Sequence, residues 1–237
     1  MEISDFILGA LPITILELVA AVSGSYYLAK TEHLKYTKYI VWLLWLTFFI
    51  EVLGSYAPIA YFSDYKYLSF LEDTSFSYNF WLYNIFMLIH YGIYIYYFRA
   101  LIKNRFWRVV LQWALVIFEV SSLIYLFATD VFFTEFSQFT NIFGTLLLAF
   151  SIVLFYLELL RSEILLKLKF FIPIYISAGA LMFHLVVTPV DLFSEYFSSK
   201  NEIFVDLRVK VLLFANIFMY SLYTIGFLIC SRKKKYS

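Results

Sequence analysis

Five ionisable side chains, Glu17, Glu51, His90, Glu119 and His184, each stand ten to fourteen residues inside a long apolar run. At about 1.5 Å per helical residue that is roughly 15 to 21 Å of travel, close to the midplane of a hydrocarbon core about 30 Å thick. Carboxylates and imidazoles are costly at that depth, so they turn toward a bundle interior, where they relay protons, hold ions or bind ligands. No Lys or Arg stands at comparable depth to neutralise the three glutamates. Three chemistries follow: protonated acids hydrogen-bonded as structure, a proton relay with the histidines, or capture of a cation or an amine-bearing ligand.

Residues three, four and seven apart share a helix face, and the neighbours on these faces are small or polar. Glu17 shares its stripe with Ala20, Ala21 and Gly24, and Glu51 with Thr47, Gly54, Ser55 and Pro58. His90 lies with Tyr83, Tyr94 and Tyr97, Glu119 with Gln112 and Ser122, and His184 with Ser177, Thr188 and Asp191. Small residues let helices approach closely and hydroxyls bond across them, so all five acids and histidines are expected to point inward. Asn141, Thr145, Asn216, Tyr220 and Tyr223 extend that face on later segments. The ligand- or proton-binding set expected from sequence is Glu17, Glu51, His90, Tyr94, Glu119, His184, Asp191, Asn216 and Tyr220.

These residues need membrane-spanning elements to carry them. At 63% apolar and 15% charged residues over 237 positions, the chain lies far from soluble domains, which are about 45–50% apolar and about 25% charged. Seven segments are long enough to span: Phe6 to Ala29, Tyr39 to Phe62, Tyr78 to Phe98, Val109 to Ala128, Phe139 to Leu157, Phe170 to Phe193 and Val211 to Cys230. Without water to satisfy backbone groups, and without the alternation of barrel strands, they read as helices. The expected fold is an all-α seven-transmembrane-helix bundle, one polytopic domain over residues 1–237. The first segment follows Glu2 and Asp5 rather than a basic region, so it reads as a retained helix instead of a signal peptide. Pro58, Pro173 and Pro189 are expected kinks, and the polar stretch from Ser194 to Lys210 a loop or lid over one mouth.

Basic residues set the orientation. Of 18 Lys and Arg, one alternating set of connections holds Lys30, Lys35, Lys38, Arg99, Lys103, Arg105, Arg108, Arg161, Lys167, Lys169 and Arg232 to Lys235. The opposite set holds only Lys66, Lys200, Arg208 and Lys210. The N-terminus is therefore expected outside and the C-terminus in the cytoplasm, with the basic collar against anionic headgroups rather than nucleic acid. Compact loops and abundant aromatics suit a bacterial inner membrane. Cys230 is the single cysteine, so no intramolecular disulfide forms.

Faint similarity between the first and fifth segments, where Ala20, Tyr27 and Leu28 align with Ala149, Tyr156 and Leu157, points to three-plus-one-plus-three parallel halves, as in some transporters. The helix count resembles those of G-protein-coupled receptors, microbial rhodopsins and PQ-loop transporters, as fold analogy alone. A retinal lysine in mid-seventh helix is missing, Lys210 standing at its edge, and no Pro-Gln pair occurs. No cofactor is expected. The leading reading is a small-ligand receptor or a proton- or cation-coupled carrier, the receptor form requiring a membrane or cytoplasmic protein partner. One alternative is a structural or assembly subunit. The other is an intramembrane metal-dependent hydrolase with His90 and His184 as metal ligands.

Overall fold

Helix ends follow local signals in the chain. The computed structural model describes residues 3–32, 34–162, 168–194 and 202–232. Four helices come first: α1 (Ile3–Lys30), α2 (Thr37–Gly54), the short α3 (Tyr56–Phe62) and α4 (Phe80–Leu101). After them come α5 (Arg105–Ala128), the single turn α6 (Val131–Thr134), α7 (Gln138–Leu160), α8 (Ile172–Ser194) and α9 (Glu202–Ser231). Asn104 caps α5, its side chain accepting from the Phe106 and Trp107 amides. Ser137 caps α7 by accepting from the Thr140 amide. Such caps satisfy amides that have no intrahelical partner.

Six helical segments are long and apolar enough to cross a membrane: Gly9–Lys30, Thr37–Phe62, Arg105–Ala128, Gln138–Leu160, Ile172–Phe193 and Phe204–Ser231. The chain is thus an α-helical polytopic membrane protein. Helix α4 matches them in length but not in apolarity, since its 22 residues include Asn84, His90 and six tyrosines or tryptophan. Its surroundings supply the reason, because α4 packs against α2, α5, α6 and α7 at once. A helix sheathed by protein does not need a lipid-compatible surface.

The long helices close a circuit in which α1 meets α2, α2 meets α4, α4 meets α7, α7 meets α8, α8 meets α9, and α9 returns to α1. Helix α5 packs on α4 and α7, turning Trp113, Ile117, Ile124 and Phe127 outward as exposed side chains. Fully buried Asn84 pins the α5-to-α7 connection to α4. Its Nδ2 donates to the carbonyls of Val131, Phe132 and Glu135, and its Oδ1 accepts from the Ser137 amide.

Proline positions have three different outcomes. The second span breaks at Ser55, three residues before Pro58 in α3, and the Gly54 carbonyl is taken by Asn79 Nδ2 at 2.8 Å. Pro173 sits in the first turn of α8, where its missing N–H costs nothing. Pro189 lies inside α8, which continues to Ser194. The sixth connection differs from expectation: α9 begins at Glu202, so Glu202 to Lys210 is helix instead of loop, and residues 195–201 lie outside the described residues. Polar side chains support that early turn, Lys210 bonding Asp206 at 2.6 Å and Arg208 bonding Asp191 on α8 at 3.1 Å.

Close helix approach rests on glycine where the tyrosines cross. A Cβ on Gly144 of α7 would enter the Tyr91 ring, and one on Gly179 of α8 would lie 2.6 Å from the Tyr223 ring. Overpacking of this kind typically costs about 1–3 kcal/mol. Gly144→Ala is expected to lower thermal stability in detergent by about that amount, whereas Gly9→Ala, which meets nothing within 4 Å, leaves the unfolding midpoint unchanged.

Candidate functional site

Helix α4 delivers the polar interior. His90 Nε2 and His184 Nε2 stand 3.0 Å apart, joining α4 to α8. His184 Nδ1 lies 3.3 Å from the Tyr91 hydroxyl, which in turn donates to Asn141 Oδ1 at 2.8 Å. Thr145 is 2.9 Å from the same hydroxyl and 2.8 Å from Thr188, and Thr188 reaches Asn141 Oδ1 at 3.4 Å.

Hydrogen-bond valence gives this chain a direction. The Tyr91 hydroxyl has one proton, and its shortest acceptor is Asn141 Oδ1, so the contact with His184 is assigned as His184 Nδ1–H donating to it. The neutral His184 then presents an Nε2 lone pair, and His90 donates Nε2–H to it. The tautomers are assigned from the network. What remains is His90 Nδ1, a buried acceptor with no hydrogen-bond partner.

A second group lies along the same interior. Tyr220 on α9 donates to Glu17 Oε1 at 3.2 Å, joining α9 to α1, and Tyr83 on α4 donates to Glu51 Oε2 at 3.0 Å, joining α4 to α2. Glu17 and Glu51 lie within electrostatic reach of each other and of both Tyr83 and Tyr220. Glu17 is 2% exposed, and its Oε2 has no partner. Tyr94 links the two groups, its ring 4.8 Å from that of His90 and its hydroxyl donating at 2.7 Å to Tyr223, which donates to the Ile176 carbonyl.

Of the residues expected from sequence, Glu17, Glu51, His90, Tyr94, His184 and Tyr220 belong to these groups. Asp191 is held at one end of the bundle by Arg208, where Gln138 Nε2 also reaches its carbonyl. Two are not brought into these groups. Glu119 is half-buried and abuts Gly92 across the α4–α5 contact, because α5 lies outside the circuit. Asn216 turns its amide back to the Leu212 carbonyl of its own helix. Tyr91 is the residue that stripe reasoning passed over. It follows His90 directly and so falls about 100° around the helix, yet both reach polar partners because α4 is enclosed on several sides.

A metal centre finds no ligand set: among the described residues no three His, Cys, Asp or Glu side chains come together to hold an ion. The two imidazoles bond each other instead. Comparison of the chain with protein families, with characterised proteins and with solved structures gives no match, so the chemistry is argued from geometry alone.

The hub position of Tyr91 has a measurable consequence. Tyr91→Phe strips a partner from Asn141, Thr145 and His184 together and is expected to cost about 1–2 kcal/mol, the range of interhelical polar contacts in membranes. Tyr96→Phe, at a half-exposed position on the same helix, is expected to change thermal unfolding in detergent by less than about 0.5 kcal/mol.

Proposed function

We propose that the chain is a seven-span carrier of the bacterial cytoplasmic membrane, N-terminus outside, that couples proton movement to transport of a small cationic solute. Helix α4 is the seventh span, its polar residues enclosed by the other six. The basic collar of Lys30, Arg99, Arg105 and Arg108 faces the cytoplasm. Two three-helix halves, α1-α2-α4 and α7-α8-α9, then move against each other, with α5 as the outer connector.

The observation that carries this reading is the His90–His184 contact between the halves. One imidazole must donate and the other accept, so the contact tolerates only certain protonation states. A proton added at the accepting atom, His184 Nε2, sets N–H against N–H and opens the latch, whereas one taken by His90 Nδ1 leaves the bond in place. Other interior bonds cross the same division: Tyr91 to Asn141, Tyr94 to Tyr223, and Tyr220 to Glu17. The two unpartnered interior atoms at these groups, His90 Nδ1 and Glu17 Oε2, are acceptors. They suit a proton or a donor-bearing cation such as a primary ammonium.

The direct test is proton exchange by the purified protein in nanodiscs as small amines and alkali cations are added. The expected outcome is ligand-linked proton release, abolished in Glu17→Gln and reduced at least tenfold in His90→Ala, with helix content unchanged. Proton release without solute flux in liposomes identifies a receptor on the same site. No proton change with any cation, in folded protein, leaves the interior as structural glue. Orientation has its own check: Ser75→Cys is expected to react with an impermeant maleimide on intact cells, and Arg105→Cys only after permeabilisation; the opposite pattern inverts the topology.

A further inference from the structure

Outside the polar interior, a groove of about 600 Å³ runs down the outer seam of α1 and α9. Leu18, Val19 and Val22 form its α1 wall, and Thr224 and Leu228 its α9 wall. The two helices run parallel, both descending toward the basic end of the bundle, so the groove has two unlike ends. Leu18 and Val19 stand at mid-span. Tyr26, Ser231 and Arg232 close the other end. The Lys30 ammonium lies 4.9 Å over the Tyr26 ring, and Lys233 to Lys235 follow Arg232 in sequence. Arg232 is exposed and pairs with no carboxylate among the described residues.

We propose that this groove is a binding site for one anionic glycerophospholipid, its acyl chain along Leu18, Val22 and Leu228 and its phosphate at Arg232. An apolar trough ending in unpaired positive charge matches the shape and polarity of that molecule, and each basic residue near the headgroups favours anionic over zwitterionic lipid. A helix from a second copy fits less well. The eight helical rises from Leu18 to Tyr26 give roughly 12 Å of wall, too short for an interface of about 800 Å² per partner. Position adds a role, because the Glu17–Tyr220 bond crosses the same α1–α9 seam one turn above the groove. A lipid wedged there bears on the seam whatever the interior transports.

Native mass spectrometry of the full chain, with equimolar phosphatidylglycerol and phosphatidylcholine of identical acyl chains, tests the assignment. One retained phosphatidylglycerol per chain is expected. Arg232→Gln is expected to cut its preference about fivefold. Val22→Trp and, from the opposite wall, Leu228→Trp should displace both lipids, while Ile117→Trp on the outer face of α5 changes nothing. Equal retention of the two lipids, or a bound lipid indifferent to both groove-filling variants, overturns the proposal. So does a wild-type dimer that Val22→Trp converts to monomer, which would make the seam an interface between copies.

Discussion

Satisfying the polar groups of α4 away from water is the constraint on which this bundle depends. Tyr91 and Tyr94 are essentially inaccessible, as is Asn84. A buried hydroxyl or amide without a partner costs a large part of its hydration, and lipid offers none in return. The neighbours of α4 are therefore the helices that supply acceptors: α7 through Asn141 and Thr145, α9 through Tyr223, and the α6 turn through its carbonyls. Glycines 144 and 179 stand where those tyrosine rings cross neighbouring backbone. Packing and polarity thus solve one problem together, and the circuit of helices is its geometric result.

That circuit also distributes mechanical meaning. Contacts among α1, α2 and α4 include Glu51 with Tyr83 and Trp45 with Ser25, which tie one half internally. Side-chain hydrogen bonds between the proposed halves run through ionisable or hydroxyl groups, where one proton more or less changes which atom donates. Apolar packing has no such dependence, since it is non-directional. In the proposed carrier, the division stitched by His90, His184, Tyr94 and Tyr220 is where a change of protonation acts.

Much of this was legible in sequence, for a physical reason. Apolar runs of membrane length leave few alternatives to helix, and the structure is helical along each of the seven runs, the second broken at Ser55, with six segments apolar enough to cross a membrane. Costly residues such as Glu17 and His184 announce themselves because lipid tolerates them only when enclosed. The failures are equally physical. Glu119 obeys the same stripe logic as Glu51, but stripe logic identifies the protein-facing side without saying which protein surface, and α5 faces the outside of α4 and α7. The early start of α9 was hidden because Asp206, Arg208 and Lys210 read as loop residues, whereas here they turn toward one another and toward Asp191. Tyr91 was hidden because period alone assigns one inward face, and an enclosed helix has several.

The two unpartnered atoms at the Glu and His groups narrow the chemistry further than their residue types do. Glutamate and histidine could serve an anion, if protonated, as readily as a cation. On the proposed reading, the assigned hydrogen-bond directions favour the cation. Tyr220 and Tyr83 spend their protons on the carboxylates, Tyr91 spends its proton on Asn141, and His90 spends its Nε2–H on His184. At these two groups the donors are consumed and lone pairs are left over on Glu17 and His90. In the proposed carrier, with Glu17 ionised, a species entering such a site brings its own N–H or O–H bonds or a bare positive charge, the property shared by protons, ammonium groups and small cations.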